Sequence, residues 1–175
     1  MAAWAAVVGV ILLIPLVSMQ YSDEFNWGVL DFVFAGTVLF GAALAYELIA
    51  RKTTIVYRAA VGLAMATAVL LFWVNAAVGI IGNGEVFKLM YLGVIAIGIA
   101  GALIARFQPQ GMTRALYAVA IAQMLVPTIV LAIPSLRGAL LEPPGLVGVF
   151  ILNAGFAALW IASAWLFRKA ALATH

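Results

Sequence analysis

The chain has 175 residues, of which 67% are hydrophobic and only 9% charged, with a mean hydropathy of +1.22 and a formal net charge of +3. A soluble domain carries roughly 25% charged residues, so a single water-soluble core is excluded and lipid is the expected solvent. The basic excess does not point to nucleic acid, because the bases are divided among short gaps instead of lining one groove.

Six apolar runs follow one another along the chain. The first runs from Ala2 to Met19 and is followed by the polar stretch from Gln20 to Asn26. The second runs from Gly28 to Ala50 and stops at Arg51 and Lys52. The third runs from Arg58 to Ile81 and stops at Gly82-Asn83-Gly84-Glu85, where Asn-Gly favours a tight reversal. The fourth runs from Lys88 to Ala105, with Arg106 and the turn Gln108 to Gly111 after it. The fifth runs from Arg114 to Ile133, followed by a loop from Pro134 to Pro144. The sixth runs from Gly145 to Phe167 and stops at Arg168 and Lys169. Each run is close to the roughly 20 residues that a helix needs to cross the hydrocarbon core. The expected fold is an all-α, polytopic transmembrane helical bundle forming one domain over residues 1–175. The first run is expected to be a retained span, since no Lys or Arg precedes it and no Ala-x-Ala site follows. Its removal as a signal peptide would leave five spans.

The charges orient these runs. Arg51, Lys52, Arg58, Arg106, Arg114, Arg168 and Lys169 fall in alternate gaps, and Asp23, Glu24, Asp31, Glu85 and Glu142 fall in or beside the others. Basic gaps face the cytoplasm, so six spans place both termini there, in a multi-pass protein of the bacterial inner membrane. Lys88 and Arg137 are the bases on the acidic side, near Glu85 and Glu142 respectively. Tyr21, Trp27 and Tyr91 fall at predicted outer ends, and Tyr57, Tyr117 and Trp165 near inner ends, the depth that amphipathic rings favour. Trp73 and Trp160 lie deeper.

Small residues four apart, such as Gly98 with Ala102 and Gly101 with Ala105, predict close helix contacts. Ile49-Ala50-Arg51 and Ile104-Ala105-Arg106 are literal matches within two similar hairpins. Inward spans that must end in Arg or Lys account for that likeness without a duplication.

The groups able to carry chemistry are few. Asp31 lies one turn into the second span, where the helix dipole favours an acid; the functional alternative is an ion or proton access site. Glu47 is four residues before Arg51, the spacing of a candidate ion pair on one helix face. Asp31 and Glu47 are about 24 Å apart along the helix at about 1.5 Å per residue, which excludes a two-carboxylate site. Asn75, Gln123 and Asn153 lie within spans, and amides in hydrocarbon seek partners on neighbouring helices. Together with Asp31 they are the candidate polar path, or else the candidate interhelical contacts. Pro127 has no N–H for the carbonyl of Gln123, so a kink there is the best sequence hint of a pocket.

The chain has no cysteine, and its one histidine is His175. No zinc site, His- or Cys-ligated haem or Cys nucleophile is implied, and the acids are too dispersed for a metal site. No cofactor is expected. An enzyme would need carboxylates alone, acting on a lipid or isoprenoid, and the chain is not expected to be one.

The stretch Trp73-Val-Asn-Ala-Ala-Val-Gly-Ile-Ile-Gly82, with Leu89-Met-Tyr91, Gly101-Ala-Leu-Ile-Ala-Arg106 and Gly111-Met112, resembles a group of uncharacterised small bacterial inner-membrane proteins. The likeness covers the layout of the second to sixth spans and implies no activity. Those proteins carry a more acidic, proline-containing loop where this chain has Gly82 to Leu89. The expected function is that of a non-catalytic bundle, self-associating or accessory to a larger membrane complex, with membrane lipids as partners and no nucleic acid. The alternative is a small channel or carrier for an ion, a proton or a solute.

Overall fold

The computed structural model describes residues 2–21, 28–50, 54–77, 79–81 and 84–173. The chain is all-α: α1 (Ala2–Tyr21), α2 (Val29–Ala50), α3 (Ile55–Ala77), α4 (Glu85–Ile104), α5 (Pro109–Ala132) and α6 (Gly145–Leu172), with a 3-10 turn at Arg137–Leu140. Five of these helices, α2 to α6, are long and apolar enough to cross a membrane. Helices are the expected element, because a backbone in hydrocarbon must satisfy its N–H and C=O groups within its own segment.

The chain forms two compact units, Met1–Arg51 and Lys52–His175. In the first, α1 packs on α2; a side chain at Gly36 would touch Leu12 at 3.5 Å. In the second, α6 packs on both α5 and α3, α5 also packs on α4, and α4 closes the ring on α3. Short connections make successive helices antiparallel. Within this ring α4 and α6 stand diagonally opposite.

The outward faces of the second unit are as apolar as its core. Ile99, Leu103, Ile121, Val147 and Ile151 are all exposed. A helix apolar all round belongs in a protein core or a bilayer, and these faces have no protein over them within the unit.

Helix ends depart from the apolar runs for local reasons. Helix α5 begins at Pro109, five residues before the expected start, because proline suits the first helical position. The turn before it is therefore shorter than expected, and it places Arg106 (φ 49°) and Phe107 (φ 57°) in the left-handed region. Helix α3 ends at Ala77, short of the expected Ile81. Gly79 (φ 70°) returns its N–H to the Val74 carbonyl at 3.2 Å and closes that end. Helix α6 continues through Arg168 and Lys169 to Leu172, since bases are favoured in a last turn. Arg137 donates from Nε to the Leu131 carbonyl at 2.9 Å, serving the orphan acceptors at the end of α5.

Candidate functional site

The deepest polar residues of the second unit meet in one cluster. Gln123 of α5 and Asn153 of α6 are both fully buried, and Gln123 donates from Nε2 to Asn153 Oδ1 at 2.9 Å. Tyr91 of α4, also fully buried, reaches across the diagonal of the ring. Its hydroxyl accepts from Asn153 Nδ2 at 2.9 Å and donates to Asn153 Oδ1 at 3.1 Å. Asn153 Nδ2 donates also to the Val149 carbonyl one turn back, at 2.8 Å.

An asparagine amide offers two donor hydrogens and two acceptor lone pairs, and Asn153 uses all four. The Val149 carbonyl fixes its orientation, because a reversed amide would set oxygen against oxygen there. With Oδ1 thus turned towards α5, Gln123 must present its nitrogen. Gln123 Oε1 is buried without a protein partner. The backbone carbonyl of Gln123 also lacks its usual donor, since Pro127 sits inside α5.

The position of Tyr91 corrects the expectation of an interfacial ring. The signal for this was its periodicity. Phe87, Tyr91 and Val94 form the buried stripe of α4, and Gly98 and Gly101 continue that stripe at helical spacing. The stripe faces α5, where a side chain at Gly98 would touch Val119 at 3.4 Å and one at Gly101 would meet Ala115 at 2.7 Å.

The other sequence candidates lie elsewhere. Asn75 is buried in α3 and donates from Nδ2 to the Lys88 carbonyl at 3.1 Å, joining α3 to α4, while its Oδ1 has no protein partner. Asp31 belongs to the first unit. It is exposed in the first turn of α2 and accepts from the Gly28 N–H at 2.8 Å, the bond of a helix start. Arg51, the expected partner of Glu47, lies outside the described residues, as do Asp23 and Glu24.

A further bond ties the same unit at its other end, where Ser163 of α6 donates to the Ala60 carbonyl of α3 at 2.8 Å. Nearby the Thr113 hydroxyl of α5 donates to the Pro109 carbonyl of its own helix at 2.9 Å and lies 3.3 Å from the Ala164 carbonyl of α6. Along the α5/α6 seam run two open, apolar grooves of about 370 and 450 Å³ that share Met124. Neither is lined by Asn75, Gln123 or Asn153. Pro127 is likewise absent from their linings and is itself buried, so these grooves are not the polar pocket its kink suggested. Among the described residues, no three His, Cys, Asp or Glu side chains gather as a metal site would require.

The arrangement can join three helices through one saturated amide. Compared with protein-family models, with curated proteins and with solved structures, the chain matches none.

Proposed function

We propose that this chain is a non-catalytic, multi-pass protein of the bacterial inner membrane, a helical bundle that associates with its own copies or serves a larger membrane complex. The observation that carries the reading is the closed bonding of Asn153. Its four hydrogen-bonding positions are all spent on Gln123, Tyr91 and its own helix. A side chain so committed acts as interhelical glue. The charge alternation supports six spans with both termini in the cytoplasm. The test is the mass of the intact complex, purified in a mild detergent. A discrete oligomer or a co-purifying protein subunit is the expected result, and a bare monomer at all concentrations overturns self-association.

A second reading, a small channel or carrier, has one observation in its favour. Gln123 Oε1 and Asn75 Oδ1 are buried acceptors that no protein group serves, and such acceptors suit a hydrated cation or a proton-carrying water. Proton or ion flux in liposomes separates the two readings. Flux that is lost in Gln123→Leu would replace the glue reading. No flux in the natural chain sinks the ion-conducting form.

A further inference from the structure

The longer-running feature of the second unit is on its outside. The α5/α6 groove is lined by Tyr117, Ile121, Leu125 and Thr128 on one wall and by Ala157 and Ile161 on the other. Its lining is almost wholly apolar; the Thr128 hydroxyl is turned back to the Met124 carbonyl at 2.8 Å. From Tyr117 to Thr128 it measures about 16 Å at about 1.5 Å per residue. That is about half of the roughly 30 Å hydrocarbon core, the depth of one leaflet.

One end of this groove is basic. Arg114 precedes Tyr117 by one helical turn on α5, and Trp165 and Arg168 follow Ile161 at helical spacing on α6. These two helix segments lie side by side: the Thr113 hydroxyl, which donates to the Pro109 carbonyl at 2.9 Å, is 3.3 Å from the Ala164 carbonyl. Lys169 folds its ammonium over the exposed Trp165 ring, 3.7 Å from the centroid. Arg114, Arg168 and Lys169 are all exposed. The two carboxylates of this unit, Glu85 and Glu142, stand at the opposite helix ends, beside the starts of α4 and α6. Among the described residues of the unit, no carboxylate side chain stands where its bases gather.

We propose that this groove binds one acyl chain of an anionic phospholipid, whose phosphate lies between Arg114 on one helix and Arg168 and Lys169 on the other. Charge complementarity selects the occupant: an apolar slot of one-leaflet depth ends in cations from both walls, with an indole at the headgroup boundary where such rings are favoured. A zwitterionic lipid satisfies the slot but leaves the cations uncompensated. The inference rests on the reading of the chain as membrane-spanning, which resistance to alkaline extraction from membranes tests separately.

The experiment is native mass spectrometry of the full chain in mild detergent with phosphatidylglycerol or phosphatidylcholine of matched acyl chains. Phosphatidylglycerol is expected to be retained preferentially, and the preference to fall about fivefold for each of Arg114→Gln and Arg168→Gln. Ile121→Trp, which fills the slot, is expected to lower retention of both lipids, and Ala157→Leu serves the same end should the first variant lose its helicity. Arg137→Gln, at the far end of the unit, is expected to change nothing. Equal retention of the two lipids overturns the proposal, as does an equal loss in Arg137→Gln. Displacement of the lipid by inorganic phosphate also overturns it, because the slot would then contribute nothing.

Discussion

Gln123 gives Asn153 a hydrogen bond at 2.9 Å and receives none back. The asymmetry has a cause in each helix. On α6, the Val149 carbonyl orients Asn153 so that its oxygen faces α5. On α5, Gln123 answers with its nitrogen, and its own oxygen is left buried and unserved. Asn153 is thus the hub of the cluster, and Gln123 and Tyr91 are spokes.

Removing the hub strands both spokes. Asn153→Leu is expected to destabilise the unit by about 2 to 4 kcal/mol, since buried polar groups on α4 and α5 lose their partner together. Tyr91→Phe removes one hydroxyl and leaves Asn153 bonded to Gln123 and Val149. Its expected cost is about 1 to 2 kcal/mol, since interhelical bonds in membranes average about 0.6 kcal/mol and the hydroxyl makes two with Asn153. Unfolding in mixed micelles with rising sodium dodecyl sulfate, followed by tryptophan fluorescence, measures both. Equal costs for the two variants would show that Asn153 is not the hub.

Gln123 should behave differently. In the natural chain Gln123→Met loses one bond but also removes an unserved buried oxygen, so the expected change is within about 1 kcal/mol. In an Asn153→Leu background the same substitution is expected to stabilise, because Gln123 then has no partner there at all. The sign change in a double-mutant cycle is the measurement. A cost of several kcal/mol in both backgrounds would mean that Gln123 serves something other than Asn153.

Much of this was legible in the sequence, and the rest was hidden for physical reasons. The apolar runs marked all six helices, because length and hydropathy decide where a backbone can satisfy itself in lipid. Gln123 and Asn153 stood out because amides are rare in such runs. Tyr91 did not, because a tyrosine near a helix end has an equally good reason to sit among headgroups. Its stripe with Phe87 and Val94 was needed to turn it inwards. The early start of α5 was marked by Pro109, but Arg114 drew the boundary inwards because a base usually ends a span. The division into two units had no sequence mark, since it depends on which apolar faces meet.

The α4/α5 contact depends on missing side chains. A Cβ at Gly101 would stand 2.7 Å from that of Ala115, and one at Gly111 would meet Ala105 at 2.7 Å with backbone at 3.0 Å. Gly101→Ala and Gly111→Ala are each expected to cost about 1 to 3 kcal/mol by overpacking. Gly93, on the same helix as Gly101, has open space where its side chain would be. Gly93→Ala is expected to be neutral or to stabilise by up to about 1 kcal/mol through helix propensity. The same unfolding titration ranks the three. If Gly93→Ala costs as much as Gly101→Ala, the seam is not the reason.

The turn between α4 and α5 holds two bulky residues, Arg106 and Phe107, at positive φ, an arrangement that costs roughly 1 to 2 kcal/mol per residue. What holds it is local. Phe107 N–H returns to the Ala102 carbonyl at 3.1 Å, and Gln108 N–H to Ala105 at 2.9 Å. From α3, the Tyr57 hydroxyl donates to the Phe107 carbonyl at 2.6 Å. Tyr57 is positioned for this by an edge-on contact with Phe167 of α6, ring centres 5.2 Å apart. Tyr57→Phe keeps the ring contact and deletes only the clamp. The expected loss is about 1 kcal/mol, borne mainly by the turn, so trypsin should cut after Arg106 about fivefold faster while the helices stay folded. An unchanged cutting rate would mean that the turn is held by its own backbone bonds alone, and that the tyrosine contributes only its ring.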